Sequence, residues 1–276
     1  MAHPSAGNRL TDLQVRILSG AVLGPAVLAA VWIGGPVFQV LVVVTALMIV
    51  REWVRLVTGG RAASVGHMLS YAFVVASLSV LLVAGPGAAV ATAAGLGVVL
   101  YGILHVMSVA NRLYIAFGIP YIGLSAIAVV WLRGQPETGM FMVFWLCLAV
   151  WATDVGAFAA GRSIGGPKLA PAISPKKTWA GLFGAMASAA VVGGVAAAAF
   201  GAAQPALAAA AGAVLALLAQ GGDLFESAVK RHFGVKDSGQ LIPGHGGMLD
   251  RMDGFLAAAP ALALFHAGPG GAIGWW

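Results

Sequence analysis

Long apolar stretches, separated by short interruptions that carry almost all the charge, leave few folds open to this chain. A helix needs about 20 mostly apolar residues to cross the hydrocarbon of a bilayer. Cutting the sequence at its charged and Gly/Pro-rich breaks gives nine candidate spans, roughly 15–33, 36–57, 68–84, 87–107, 112–132, 139–161, 179–201, 205–226 and 251–267. The apolar runs are continuous rather than alternating, which favours helices over a β-barrel. Sixty per cent of the 276 residues are hydrophobic and 9% are charged, against about 25% charged in a soluble protein, so too little polar surface exists to wet a soluble particle. The expected fold class is all-α, a polytopic integral membrane protein of about nine helices. The single cysteine, Cys147, lies inside an apolar run and leaves no intramolecular disulfide to form.

Lysine and arginine fix the orientation, because they stay on the cytoplasmic side. With nine spans, fourteen of the fifteen basic residues fall on one face: Arg9 and Arg16; Arg51, Arg55 and Arg61; Arg112; Arg162, Lys168, Lys176 and Lys177; Lys230, Arg231, Lys236 and Arg251. Only Arg133 falls on the other. The N-terminus is therefore expected in the cytoplasm, in a multi-pass protein of the cell (inner) membrane. The C-terminus lies outside, where Trp275 and Trp276 are placed as interfacial anchors. The net charge of +6 is spread between apolar stretches and forms no continuous basic face, so no nucleic-acid partner is expected.

Charge also divides the chain by function. Six of the nine acidic residues, Asp154, Asp223, Glu226, Asp237, Asp250 and Asp253, fall in the last 125 residues, and only Asp12, Glu52 and Glu137 lie elsewhere. Residues 1–138 are read as N-terminal transmembrane helices and 139–276 as a catalytic transmembrane domain with cytoplasmic active-site loops. Asp154 is the most costly of the acids, since a carboxylate at mid-bilayer costs about 2.5–3.5 kcal/mol and marks a functional position by default.

Two cytoplasmic loops, 162–178 and 227–250, are long for this chain. In the first, the prolines and glycines of 161–175 forbid a regular helix, while Lys168, Lys176 and Lys177 set positive charge beside exposed backbone, which suits a phosphate-rich ligand. Gly161 and Gly166 have P-loop spacing, but Pro167 stands where that motif needs lysine. Around the second, a helical 222–233 puts Asp223, Glu226, Ser227 and Lys230 on one face, and Asp250 and Asp253 align at the start of the next helix. Four carboxylates at two helix ends on one membrane face fit a Mg²⁺ ion, or a pair of cations, facing phosphates. Zinc is disfavoured because His232 and His245 are too far apart for HExxH. A Ser227/His245/Asp250 triad is compatible with the spacing but lacks the G-x-S-x-G setting.

These residues also carry a resemblance. The segment SAVKRHFGVKDSGQLIPGHGGMLDRMD, from Ser227 to Asp253, is similar to the signature of the phosphatidate cytidylyltransferases (CDP-diacylglycerol synthases). Ser227, Lys230, Arg231, Lys236, Asp237, His245, Gly246, Gly247, Asp250, Arg251 and Asp253 are all in register. Upstream, TDVGAFAAGR and LAPAISPKKTWAG resemble companion motifs, with Ser174, Lys177, Thr178 and Trp179 in the usual order. Val155–Gly156 departs slightly from the setting usual after Asp154. The resemblance covers about 150–255 clearly; before 150 only the multispan character matches.

The resemblance implies transfer of a cytidylyl group from CTP to phosphatidate, with Mg²⁺, in a homodimeric membrane enzyme. It places the metal on Asp223 and Asp250, with Asp253 close by. Lys177, Lys230, Arg231 and Asp253 are the expected catalytic residues. Asp154, Ser174, Lys176, Thr178, Trp179, Ser227, Lys236, Asp237, His245, Gly246, Gly247 and Arg251 are the expected substrate-binding set. Competing readings are a cytidylyltransferase for another lipid phosphate, such as an isoprenoid glycerol ether, and a membrane transporter.

Overall fold

The computed structural model describes residues 12–60, 64–271 and 274–276, with side chains described from Ser19 in the first segment and Val65 in the second. Arg9 and Arg61, and the side chains of Asp12 and Arg16, lie outside the described residues. Among the described residues eight α-helices follow in order: α1 (Asp12–Ile33), α2 (Gly35–Val57), α3 (Ser64–Val106), α4 (Arg112–Arg133), α5 (Gly139–Ser163), α6 (Trp179–Ala199), α7 (Pro205–His232) and α8 (Leu249–Phe265). Between α5 and α6 a small antiparallel hairpin pairs β1 (Lys168–Ala170) with β2 (Ser174–Thr178). The hairpin is new relative to the sequence reading, which assigned only an irregular loop there. Glycine and proline bar a helix from this segment, but two short extended runs still pair their backbones.

Among the described residues, six helices are long and apolar enough to cross a membrane: α2, α4, α5, α6, α7 and a 42-residue stretch of α3. The chain is thus an all-α polytopic membrane protein. A straight 42-residue helix would be about 63 Å long, roughly twice the hydrocarbon thickness. It is interrupted at Gly85, whose φ of 83° and ψ of 178° are not helical, immediately before Pro86. That break falls between the two sequence spans expected at 68–84 and 87–107.

Two cores hold the helices together. One joins Ile49, Val50, Trp53 and Val54 of α2 with Leu100 and Leu104 of α3, Ile115 and Ile119 of α4, and Leu249 and Leu256 of α8. Packing therefore unites the N-terminal helices with the C-terminal segment. The other centres on Met142, Trp145 and Leu146 of α5, and Trp145 Nε1 donates to Gly193 O of α6 at 2.7 Å. Between α6 and α7 the buried contacts are alanines, Ala185, Ala189 and Ala216, so the backbones approach closely, as expected where lipid supplies no hydrophobic drive and packing must hold helices together.

Two contacts add to the sequence reading. Arg133 donates through Nε to Val31 O at 2.6 Å and through Nη2 to Trp32 O at 3.1 Å, satisfying carbonyls at the C-terminal end of α1. Trp275 is fully buried, edge-on to Trp145 at 5.5 Å and donating to His266 Nδ1 at 3.1 Å. The interfacial-anchor expectation is corrected for Trp275: the chain end folds back onto α5, because burying an indole with its N–H satisfied is more favourable than leaving it at the surface.

Candidate active site

Helix α7 sets the site's frame. It continues to His232, six residues beyond the expected span end at 226, so Asp223 lies about two and a half turns inside the helix rather than at its end. The expected loop from 227 correspondingly shrinks to 233–248. Helical spacing then does what the sequence predicts for the face: Ser227 Oγ donates to Asp223 Oδ1 at 3.2 Å, and Lys230 Nζ meets Glu226 Oε2 at 3.0 Å, both pairs one turn apart.

Two lysine–aspartate pairs organise the charge. Lys177, on β2, approaches Asp223 Oδ2 at 2.7 Å and donates to Gln220 Oε1 at 2.8 Å. Lys230 reaches Asp250 Oδ1 at 2.7 Å across the α7–α8 contact. Glu226 is fully buried and Lys230 nearly so, which favours a matched pair because an unpartnered charge there would be costly. Burial alone would raise the Asp250 carboxyl; the hydrogen bond and charge of Lys230, with the Ser238 N–H at 3.0 Å, hold it below its ordinary value.

Asp253 lies one turn along α8 from Asp250, with Oδ1 accepting its following backbone N–H, that of Gly254, at 2.6 Å. Asp223 and Asp154 act on it electrostatically, and Asp154 is exposed on the last turns of α5. Three carboxylates from α5, α7 and α8 therefore share one region with the two lysines.

The remaining predicted residues separate into groups. Thr178 is buried and caps α6, its Oγ1 accepting the Gly181 N–H at 3.0 Å. Trp179, Lys176, Lys236 and Asp237 are exposed, and Ser174 is half-buried on β2. Arg231 is exposed and laid on backbone, donating to Val235 O at 3.1 Å and Ile173 O at 3.4 Å, so it ties the hairpin to the signature loop. Arg251 donates to His245 O at 2.9 Å. His245 Nδ1 lies 2.7 Å from Ser19 Oγ, while Ser227 is engaged with Asp223, so the partners of the alternative triad are directed to different groups.

Gly246 has a φ of 88°, and its turn is closed by hydrogen bonds with Ile242. At Gly247 a β-carbon would press on Ser238 Oγ and stand 2.8 Å from Asp250 Oδ2 and 2.9 Å from Glu52 Oε2, so a side chain there would displace the groups that hold the loop.

Glu52 is the residue the sequence reading missed. It is buried on α2, and its Oε2 accepts from Leu249 N at 2.8 Å and Ser238 Oγ at 3.2 Å, with Gly239 pressed against its carboxyl group. Its one local signal was a carboxylate set between Arg51 and Arg55 at the charged C-terminal end of a span, in VREWVRL. Ser238, Gly239 and Leu249 of the signature segment thus close around an acid from the N-terminal half.

Known proteins resemble this chain along most of its length. The sequence model of the Cytidylyltransferase family matches residues 14–267. A Brucella suis biovar 1 protein named phosphatidate cytidylyltransferase is 39% identical over 266 residues, covering 94% of each chain. One of the same name from Rickettsia bellii is 30% identical, over 96% of this chain and 95% of its own. Another from Bacillus subtilis is 38% identical over 155 residues, 56% of this chain and 58% of its own.

Proposed function

This chain belongs to the cytidylyltransferase family, and from that premise we infer that it transfers the cytidylyl group of CTP to phosphatidate, giving CDP-diacylglycerol and pyrophosphate. The observation that carries the reading is similarity to phosphatidate cytidylyltransferases along nearly the whole chain. The relatives lend no support to a transporter or to a different lipid acceptor.

The chemistry needs no covalent intermediate. The lipid phosphate is already anionic at neutral pH. Its oxygen forms a bond to the α-phosphorus of CTP while the bond from that phosphorus to the bridging oxygen of pyrophosphate breaks, and the electron pair leaves with pyrophosphate. The protein's task is to align attacker and leaving group and to offset charge. Lys177 and Lys230 are suited to the charge, each being held in place by a carboxylate at 2.7 Å. Arg231 ties the hairpin to the loop so that both close on one substrate. We assign Asp253 to the same centre, and the exposed Lys176, Trp179, Lys236, Asp237 and Asp154 to substrate contacts at its rim.

A divalent cation fits the donor set. Asp223 and Asp250 offer hard carboxylate oxygens on facing helices, and Asp223 keeps about a third of its side chain exposed (32%). Among the described residues no group of three or more His, Cys, Asp or Glu is arranged to hold a metal unaided. Mg²⁺ characteristically needs only one or two carboxylates when phosphates and water complete its shell. When bound, Mg²⁺ would neutralise triphosphate charge against Asp223 and Asp250. The reading includes an active site on the cytoplasmic face of the inner membrane, supported by the basic loops, and a homodimer, supported by the family resemblance.

Purified protein incubated with labelled CTP, phosphatidate and Mg²⁺ tests the reaction. CDP-lipid and pyrophosphate should form in equal amounts. CTP breakdown at the same rate without lipid would overturn the transferase reading.

A further inference from the structure

A cavity of about 450 Å³ lies beside the site, between the C-terminal turns of α2 and the signature loop. Its lining includes Arg51 and Arg55 of α2 and Asp237, Ser238, Gly239 and Gln240 of the loop. The size is within the range of small-ligand pockets. Ser238 belongs to both places, since its backbone N–H binds Asp250. Whatever enters this cavity is therefore one short segment away from the Lys230–Asp250 pair.

Arg51 and Arg55 are one helical turn apart and exposed, and among the described residues none accepts a hydrogen bond from either guanidinium group or pairs with it. Glu52, in the same wall, is buried and engaged by Leu249 and Ser238. Asp237 is exposed at the loop. Two unengaged guanidinium groups one turn apart match a phosphate monoester, which can accept the two parallel N–H groups of a guanidinium fork on two of its oxygens.

The same side of α2 continues as an exposed apolar stripe, Val44, Val40 and Val37. At 100° per residue these valines and both arginines fall on one face. From Arg51 to Val40 is about 16 Å along the helix, close to the depth of one leaflet. A water-soluble triphosphate would make no use of that stripe; a phosphate carrying acyl chains would use all of it.

We propose that Arg51 and Arg55 receive the phosphate monoester of the lipid substrate, with its acyl chains along Val44, Val40 and Val37, and hold it beside the signature loop. The proposal rests on the reading of phosphatidate as acceptor and adds the residues that select it.

The test uses the full-length protein in mixed micelles, with phosphatidate and CTP varied independently. Replacing both arginines (R51Q/R55Q) should raise KM for phosphatidate about ten-fold or more while KM for CTP stays within about two-fold. R51K/R55K should recover only part, because lysine keeps charge but loses the fork. Binding is measured separately: without CTP, wild-type protein in nanodiscs should retain phosphatidate over phosphatidylcholine, and R51Q/R55Q should lose that preference. A rise in KM for CTP alone would mark a triphosphate subsite and overturn the proposal. Unchanged constants with unchanged lipid preference would leave the arginines as orientation charges and overturn it equally. If wild-type protein makes no CDP-lipid, the transferase reading fails, and the nanodisc comparison still decides this one.

Discussion

Glu52 Oε2 accepts the backbone N–H of Leu249 at 2.8 Å, joining residues 197 apart in sequence at the point where the signature loop enters α8. The next residue, Asp250, carries the carboxylate that pairs with Lys230. A side chain on α2 thus fixes the start of the helix that presents a proposed metal ligand.

Removing that acceptor should matter. Glu52→Ala leaves the buried Leu249 N–H without its partner, at a cost of about 1–3 kcal/mol. It also frees Ser238, the other residue tied to both Glu52 and Asp250. We expect a lower unfolding temperature and a kcat reduced about ten-fold or more, equivalent to ~1.4 kcal/mol of barrier. Glu52→Gln keeps a carbonyl oxygen at the same place and should retain most of both. Equal behaviour of the two variants would show that the contact does not position the loop.

The metal assignment predicts that Asp223→Asn and Asp250→Asn each lower kcat at least ~100-fold, about 2.7 kcal/mol in barrier, and shift the Mg²⁺ dependence to higher concentration. Glu137→Gln, in an exposed turn after α4, is the matched control and should leave both unchanged. Thermal unfolding must accompany the assay, since breaking a buried lysine pair can cost several kcal/mol of stability by itself. Near-normal turnover with unaltered Mg²⁺ dependence in both aspartate variants would remove them from the metal site.

Gly221 and Gly222 provide a paired test of helix approach. A β-carbon at Gly222 would stand 2.6 Å from Asp253 O and 2.9 Å from Ala257 Cβ, whereas one at Gly221 would meet nothing within 4 Å. Gly222→Ala should push α7 from α8, destabilise by about 1–3 kcal/mol and reduce activity by separating Lys230 from Asp250. Gly221→Ala should be neutral or stabilising by about 0.5–1 kcal/mol. Denaturation curves and turnover of the two variants settle the comparison.

Cys147 is buried among apolar side chains on α5, and among the described residues no charged group pairs with it to favour a thiolate. Cys147→Ala should stay within about ten-fold of wild-type activity, ~1.4 kcal/mol. Thiol-specific alkylation of the folded protein should leave turnover unchanged. A larger loss in folded variant protein would require a role for this thiol that the proposed mechanism lacks.

Periodicity and composition determined much of this protein by themselves. The apolar runs fixed a helical membrane architecture, because only helices satisfy their own backbone groups without water. The spacing of Asp223, Glu226, Ser227 and Lys230 fixed a shared helical face, because positions three and four apart are neighbours whatever surrounds them. The unbroken register from Ser227 to Asp253 carried the family. Tertiary structure alone decided which groups those faces meet. Lys177 arrives at Asp223 from a hairpin that local pattern did not reveal, and Trp275 turns inward onto Trp145. Glu52, remote from the signature and in sequence one of three charges at a span end, holds the loop that carries it. Such pairings join residues that no local period relates, and they depend on how closely whole helices pack; a single chain read in order contains the partners but not their distances.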